Sequence, residues 1–590
     1  MKLSDYVVDF LAKQGIRHNF LVSGGAVIHI VDSTSKHPSM EYICGQHEEH
    51  SAAAADMYAR VTRKLGLVST TSGPGATNIV TSICNAWFDS IPMICLTGQV
   101  SRFRIKKRKQ LRQKGFQETD IVSIFKSITK YAKLILDPAS IRYELEKALH
   151  LATEGRPGPV LLDIPDDLQR VEINPEELKG YTPQKKKRVL PLEDTKQLFQ
   201  MIAQAKRPIL ILGAGVQSAN AAEEALSFAE YFKIPVVTTW GGADAIPHSH
   251  ELNMGCIGVC GPRGGNFGVQ FSDLVIALGT RLSPMVTGGK QNLFAPLSKK
   301  VMVDVDMEEL NKFDASTFLI DLPILAHLKD FFAACSHVYT HYSDSCSSWR
   351  NCIQSWRKRY PIYTPDLEKH QGRIHPHVFV KKISDLAQEG AILIGDTGAN
   401  ISWTMQAFET KKGQRIFSAW NHTPMGYSLP ASVGASLASE QEIICFIGDG
   451  GLMMCLQELG TIRRHNLPVK IFIFDNKGHG IQKQTIDTWL HSHYAAVDQS
   501  TGLYFPNYQQ IARAFEIPFY QLQTHEDLST LHEIWNQKGP FICNVEIIEQ
   551  QKIVPMLKFG SGIEDLDPKI PKEELQMIAN EALQVELAPA

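Results

Sequence analysis

Residues 442–476 read EIICFIGDGGLMMCLQELGTIRRHNLPVKIFIFDN, and this stretch decides the fold. An apolar run ending in Gly448-Asp449-Gly450-Gly451 predicts a strand. A helical pattern follows from about Leu452 to His465, and a second apolar run ends in Asp475-Asn476. Such a strand–helix–strand unit places Asp449 and Asn476 at the carboxyl ends of strands, where open parallel sheets bind ligands. The glycines let the backbone approach an anion, and a helix start favours negative charge. A carboxylate and an amide oxygen so placed can hold a hard cation such as Mg²⁺, which fills its other positions with phosphate oxygens, main-chain carbonyls and water. The plainer alternative is that GDGG is only a turn.

Outward from this unit, short apolar runs alternate with helical patterns over most of the 590 residues. The expected class is α/β, with three domains of mostly parallel sheets flanked by helices. A chain of this length exceeds a single core. The first block, 1–180, carries strands near Leu67–Thr71, Met93–Thr97 and Val160–Ile164. The polar, basic stretch Lys179–Arg188 reads as a linker. The second block, 190–340, has strands near Pro208–Leu212, Pro235–Thr238, Leu274–Leu278 and Val301–Val305. A polar stretch at about 337–375 leads into the third block, 370–553, with strands at Ala391–Ile394, Glu442–Ile447 and Val469–Phe474. The charged tail, 554–590, is expected to wrap over the surface.

Composition narrows the class of partner. With 21% charged residues and a net charge of −2, nothing suggests a nucleic-acid or anionic-membrane partner. The exception is Arg102–Arg112, RFRIKKRKQLR, which reads either as a solvated loop or as a site for an anionic substrate. Eleven scattered cysteines without a CxxC pair read as free thiols in a reducing compartment. No run of ~18 apolar residues could span a bilayer. The amphipathic N-terminus lacks a signal-peptide core. The expectation is a cytoplasmic protein with no membrane partner.

Further segments carry a resemblance. Gln46-His-Glu-Glu-His50 precedes Ser51-Ala-Ala-Ala-Ala-Asp-Met-Tyr-Ala-Arg60, and Ser72-Gly-Pro-Gly-Ala-Thr-Asn78 follows. Asn421-His-Thr-Pro-Met-Gly-Tyr-Ser-Leu-Pro430 lies before the GDG run. With GDG and an asparagine 27 residues after its aspartate, these motifs resemble thiamine-diphosphate-dependent enzymes from about residue 3 to 550. The elements Leu96-Thr-Gly-Gln-Val100 and Phe116-Gln-Glu-Thr-Asp120 are similar to those of acetolactate synthase large subunits.

The resemblance implies roles by position. Asp449 and Asn476 would be side-chain metal ligands, with the Gly478 carbonyl as a third. Gly398, Ala399, Asn400, Gly450 and Gly451 would contact the diphosphate. Met425 would sit beneath the cofactor and bend it, while the Thr423 carbonyl accepts from its 4′-amino group. Glu48 would be the catalytic acid at N1′, favouring the imino tautomer that deprotonates C2; its alternative is a helix-start charge complementing the dipole, the role left to Glu49. Gln117 would lie near the substrate, and Lys130 at the access channel or simply at the surface.

The implied function is a carboligase that decarboxylates pyruvate, a 2-oxo acid, and transfers the two-carbon unit to a second carbonyl. Its cofactors would be thiamine diphosphate and Mg²⁺, and the assembly a homodimer or homotetramer with active sites between subunits. FAD is a further expectation, on Gly213-Ala-Gly215, Leu278-Gly-Thr-Arg-Leu282 and Val303-Asp-Val-Asp306. Two departures bear on the acceptor. Gln482 and Thr485 stand where the family has an apolar residue and a tryptophan, and Ser283-Pro-Met285 replaces its DDR. An alternative reading is therefore a carboligase acting on a keto-sugar nucleotide. Another is a simple 2-oxo acid decarboxylase, with His47, His422 and His479 near the motifs. A third, outside enzymes, is a nucleotide-binding regulator that kept the fold.

Overall fold

The computed structural model describes all residues except 109, 185–189, 339–343, 345, 559 and 586–590. The end of the Lys179–Arg188 linker, part of the 337–375 stretch and the end of the tail thus lie outside the described residues.

Three six-stranded sheets organise the chain, and every strand pair in them is parallel. The first holds β1 (His18–Leu21), β2 (Glu41–Cys44), β3 (Gly66–Thr70), β4 (Met93–Gln99), β5 (Tyr131–Leu134) and β6 (Val160–Pro165), in the order β2-β1-β3-β4-β6-β5. The central sheet holds β7 (Pro208–Leu212), β8 (Val236–Thr238), β9 (Asn253–Cys256), β10 (Leu274–Leu278), β11 (Lys299–Asp304) and β12 (Leu322–Leu325), in the order β12-β11-β10-β7-β8-β9. The third holds β13 (Ile392–Gly395), β14 (Arg415–Phe417), β15 (Ile443–Gly448), β16 (Val469–Asp475), β17 (Phe519–Leu522) and β18 (Phe541–Glu546), ordered β14-β13-β15-β16-β18-β17. Helices cover both faces, so the central strands are apolar throughout rather than alternating; β4, β6, β7 and β10 are buried along their whole length.

The first and third sheets share one strand order, which no short sequence repeat betrays. Their crevices lie where the order reverses, between β1 and β3 and between β13 and β15. In the central sheet the reversal falls between β7 and β10. These are the positions at which such sheets bind ligands.

The first and third domains are joined by two packed helices, Glu48–Thr62 and Ser428–Ala438. The run Ala52–Ala55 is buried. A Cβ on Gly434 would lie 1.9 Å from the Ala54 carbonyl oxygen, so small residues on both helices permit the close crossing. Two segments are more structured than their polarity suggested. The stretch after residue 337 contains the helix Ser347–Arg359, which buries Trp349, Ile353 and Trp356. The tail does not merely cover the surface: Leu557, Ile563 and Leu566 are buried, and it carries the helix Lys572–Gln584, whose Glu581 accepts from Trp356 Nε1 at 2.6 Å.

Candidate active site

Asp449 is the first residue after β15 and Asn476 the first after β16, so neighbouring parallel strands deliver both to one edge of the sheet. The helix begins at Asp449, earlier than the pattern suggested, and breaks at Leu456–Glu458 before resuming at Leu459. Asp449 is 2% exposed, and its oxygens accept the amides of Gly450 (2.6 Å) and Gly478 (3.0 Å). Burial and the nearby Asp475 charge push its carboxyl up to about 7 despite those amides. A carboxylate so placed is stabilised by a cation. Asn476 is buried beside it. Among the described residues no group of three or more His, Cys, Asp or Glu is placed to hold a metal ion, so a cation here would take one carboxylate, an amide and carbonyl oxygens.

Gly398, Ala399 and Asn400 follow β13 across the crevice. Gly398 has φ +102°, which L side chains avoid, and a Cβ there would meet only Asn400 Nδ2, at 4.0 Å. It precedes the helix Ala399–Ala407, whose free amides suit an anion. A Cβ on Gly450 would meet His479 Nε2 at 2.6 Å and Met425 Cε at 3.2 Å, so Gly450 leaves room between these two side chains. Gly451 has a packing reason for its missing side chain: a Cβ would lie 2.0 Å from Asp396 Oδ2.

Asp396 was not singled out from the sequence. Buried at the end of β13, it accepts the amides of Gly426 (3.0 Å) and Tyr427 (3.0 Å), and burial pushes it up to about 6 although these amides pull the other way. It fixes the end of the segment that carries Thr423 and Met425. Thr423 has φ +52°, in the left-handed region. Holding such a residue there costs about 1–3 kcal/mol.

A second cluster forms in the first domain. Glu48 opens its helix behind His47, whose Nδ1 accepts the Glu49 amide at 3.2 Å as a cap. Glu48 Oε2 accepts from Asn78 Nδ2 at 2.9 Å, and Gly75 lies against Oε1. The Ser72–Asn78 segment, which ends in the short helix Pro74–Asn78, therefore positions this carboxylate. Gln117 joins the same cluster: a Cβ on Gly73 would meet its carbonyl at 2.8 Å and its own Cβ at 3.2 Å. The flanks of Glu48 are tied to the third domain, because Glu458 accepts from the Gln46 amide (2.8 Å) and contacts His50 Nδ1 (3.1 Å). The hydrogen bonds of Glu48 itself stay within its own domain, and those of Asp449 within the third.

Other predicted positions resolve differently. Lys130 Nζ donates to the carbonyls of Glu154 (2.5 Å) and Arg156 (2.8 Å), anchoring a loop. The basic run folds around Glu118, which accepts the amides of Lys106, Lys114 and Gly115, while Arg104, Lys107 and Arg108 face solvent; Lys109 lies outside the described residues. Gln482 and Thr485 are exposed on the helix Gly480–Trp489, with Thr485 Oγ1 bonded to the Ile481 carbonyl at 2.9 Å. His422 packs against Phe88, ring centroids 5.6 Å apart. In the central domain, Gly213 and Gly215 abut Gly279 at the strand-order reversal. Arg281 Nε pairs with Glu309 at 2.8 Å.

Comparison with known proteins decides what this arrangement belongs to. Family models of thiamine pyrophosphate enzymes match in chain order: the N-terminal TPP binding domain over residues 1–124, the central domain over 195–335 and the C-terminal TPP binding domain over 396–545. An acetolactate synthase large subunit of Cyanidium caldarium is 32% identical over 568 residues, 94% of this chain and 95% of that protein. The chain belongs to the acetolactate synthase family of thiamine pyrophosphate enzymes. The chloroplastic acetolactate synthase of Arabidopsis thaliana is also 32% identical, over 96% of this chain and 84% of its own. Acetolactate synthase 3 of Brassica napus is 31% identical, over 96% and 86%. Membership makes the chain a thiamine-diphosphate-dependent transferase of the acetolactate synthase class, and the three-domain fold matches the three family domains. Among the described residues no helix is long and apolar enough to cross a membrane.

Proposed function

We propose that the chain decarboxylates pyruvate and joins the resulting two-carbon unit to a second 2-oxo acid, with Mg²⁺ and thiamine diphosphate held at the Asp449 cluster. The observation that carries the reading is the buried Asp449 carboxylate, tied to the Gly478 turn and set beside Asn476. One carboxylate, one amide oxygen and the Gly478 carbonyl suit a hard cation that shares phosphate oxygens. The start of the Ala399–Ala407 helix would receive the diphosphate, aided by Gly398, Asn400, Gly450 and Gly451. Bound thiamine diphosphate supplies a carbon nucleophile and an electron sink. The protein's part is to orient and to move protons. Met425 would brace the cofactor rings from beside Gly450, and the Thr423 carbonyl would accept from the 4′-amino group. Glu48, oriented by Asn78, would hold the proton shared with N1′. Gln117, beside Gly73, would line the acceptor side.

Because the hydrogen bonds of Glu48 and Asp449 fall in separate domains, we read the working unit as a homodimer or homotetramer in which two copies complete each site. FAD is the proposed occupant of the central crevice, where Gly213, Gly215 and Gly279 meet. All eleven cysteines are free, which supports a reducing compartment such as the cytoplasm. The test is release of labelled CO₂ from [1-¹³C]pyruvate by the purified chain. Release that needs both thiamine diphosphate and Mg²⁺ supports the reading; none with both present, or release indifferent to chelation, overturns it.

A further inference from the structure

The segment carrying Thr423 and Met425 is gripped at both ends. Asp396 holds the far end through the Gly426 and Tyr427 amides. At the near end, Asn421 stands where all three domains meet. Its amide (3.2 Å) and Nδ2 (2.7 Å) donate to Asp89 Oδ1 of the first domain. Its Oδ1 accepts from Arg281 Nη1 of the central domain at 3.2 Å. Asp89 is a firm anchor: its side chain is 2% exposed, Arg60 Nη2 donates to it at 2.9 Å, and it also takes the Trp420 amide at 3.0 Å. Between the grips lies Thr423 at φ +52°. A β-branched residue avoids this conformation because its Cβ crowds the backbone, and it stays there only where its surroundings over-determine it.

We propose that Asn421 is a positioning residue for the cofactor loop, transmitting the placement of the first and central domains to Thr423 and Met425. This rests on the active-site reading above. With the Asn421 side chain removed, its bond to Asp89 and the link to Arg281 are gone, and the near grip keeps the Trp420 and Asn421 amides on Asp89, the Thr423 amide on the Ala419 carbonyl (3.2 Å) and the His422–Phe88 contact. Thr423 then relaxes toward negative φ, which turns its carbonyl and draws Met425 away from Gly450 and His479. The drive for that relaxation is the Cβ of Thr423. A glycine at the position occupies positive φ freely and keeps the carbonyl, so Thr423→Gly counteracts the loss of Asn421.

The test uses the full chain and two readouts. The first is amide hydrogen exchange across residues 418–425 without cofactor. Asn421→Ala is expected to speed it, with the helix Ser428–Ala438 unchanged. The second is proton exchange at C2 of thiamine diphosphate bound with Mg²⁺. There Asn421→Ala is expected to slow the rate about tenfold, matching the size of a left-handed penalty. Adding Thr423→Gly is expected to bring it back to within about threefold of wild type. A merely structural defect would be deepened, not relieved, by a second substitution. Asn421→Ala equal to wild type in both readouts, or a double variant slower than the single one, overturns the proposal. Absence of C2 exchange in the wild type would overturn the active-site reading instead, and the amide exchange would still decide whether Asn421 holds the loop.

Discussion

The Gly478 amide donates to Asp449 Oδ2 at 3.0 Å, so the turn after β16 is tied to the carboxylate that ends β15. One side chain thereby organises both strand ends of the proposed metal site. Asp449→Ala removes the proposed ligand and this tie together. Affinity for thiamine diphosphate in the presence of Mg²⁺ should fall by about 100-fold or more, beyond what losing a group that only orients a ligand produces. Calorimetric titration of the folded variant checks this, and an unchanged affinity would refute the assignment.

Glu48→Gln keeps the acceptor for Asn78 but removes the acid. Cofactor should still bind, while proton exchange at C2 slows by about 10²–10⁴-fold, the usual weight of a positioned acid–base group. Exchange at the wild-type rate would show that another group does this work.

Much of this site was legible because its residues sit where strands end. The apolar runs before Asp449 and Asn476 are buried along both faces, and such runs announce themselves. Glu48, Gln117 and the Ser72–Asn78 segment could be placed together only through family resemblance, since sequence spacing does not reveal which segments meet. Asp396 and Asp89 escaped notice because each acts on backbone amides distant in sequence, at Gly426 and at Trp420. The helix Ser347–Arg359 was hidden by its charges; its buried stripe of Trp349, Ile353 and Trp356 is only three residues wide. The strands β14 and β17 are short edge strands, where the apolar signal is weakest.

The helix crossing between the first and third domains offers a packing test. Gly434→Ala puts a methyl 1.9 Å from the Ala54 carbonyl, which neither backbone can yield cheaply. Overpacking of this kind costs about 1–3 kcal/mol or more. Thermal melting should show the loss, whereas Gly25→Ala, with open space around its Cβ, should melt within about 0.5 kcal/mol of wild type. Equal melting of Gly434→Ala and wild type would mean the helices are not so closely crossed.

The junction of the first and central domains carries a pH signature. Burial alone would raise Glu309, but Lys312, Arg281 and Arg156 more than offset it and hold its carboxyl at about 2, below its ordinary 4.5. A depressed carboxylate contributes stability above its unfolded value and loses it as pH falls toward the folded value. The window is therefore about pH 4.5 down to 2. Glu309→Gln should be less stable at neutral pH by about 2 kcal/mol, discounted for the solvent at the cluster's edge. Its melting temperature should fall less steeply than the wild type's on acidification below pH 5, and parallel curves would contradict the ion cluster.

The central claim is carboligation of two 2-oxo acids, and the product formed from labelled pyruvate tests it most directly. Wild-type chain loaded with thiamine diphosphate and Mg²⁺ is given [2-¹³C]pyruvate in excess, alone and beside unlabelled keto-sugar nucleotides, and the products are resolved by NMR. The account predicts acetolactate carrying two labelled carbons, formed at the same rate whether or not the nucleotide is present. Labelled acetaldehyde as the sole product, or a labelled adduct that appears only with the sugar nucleotide, would contradict it.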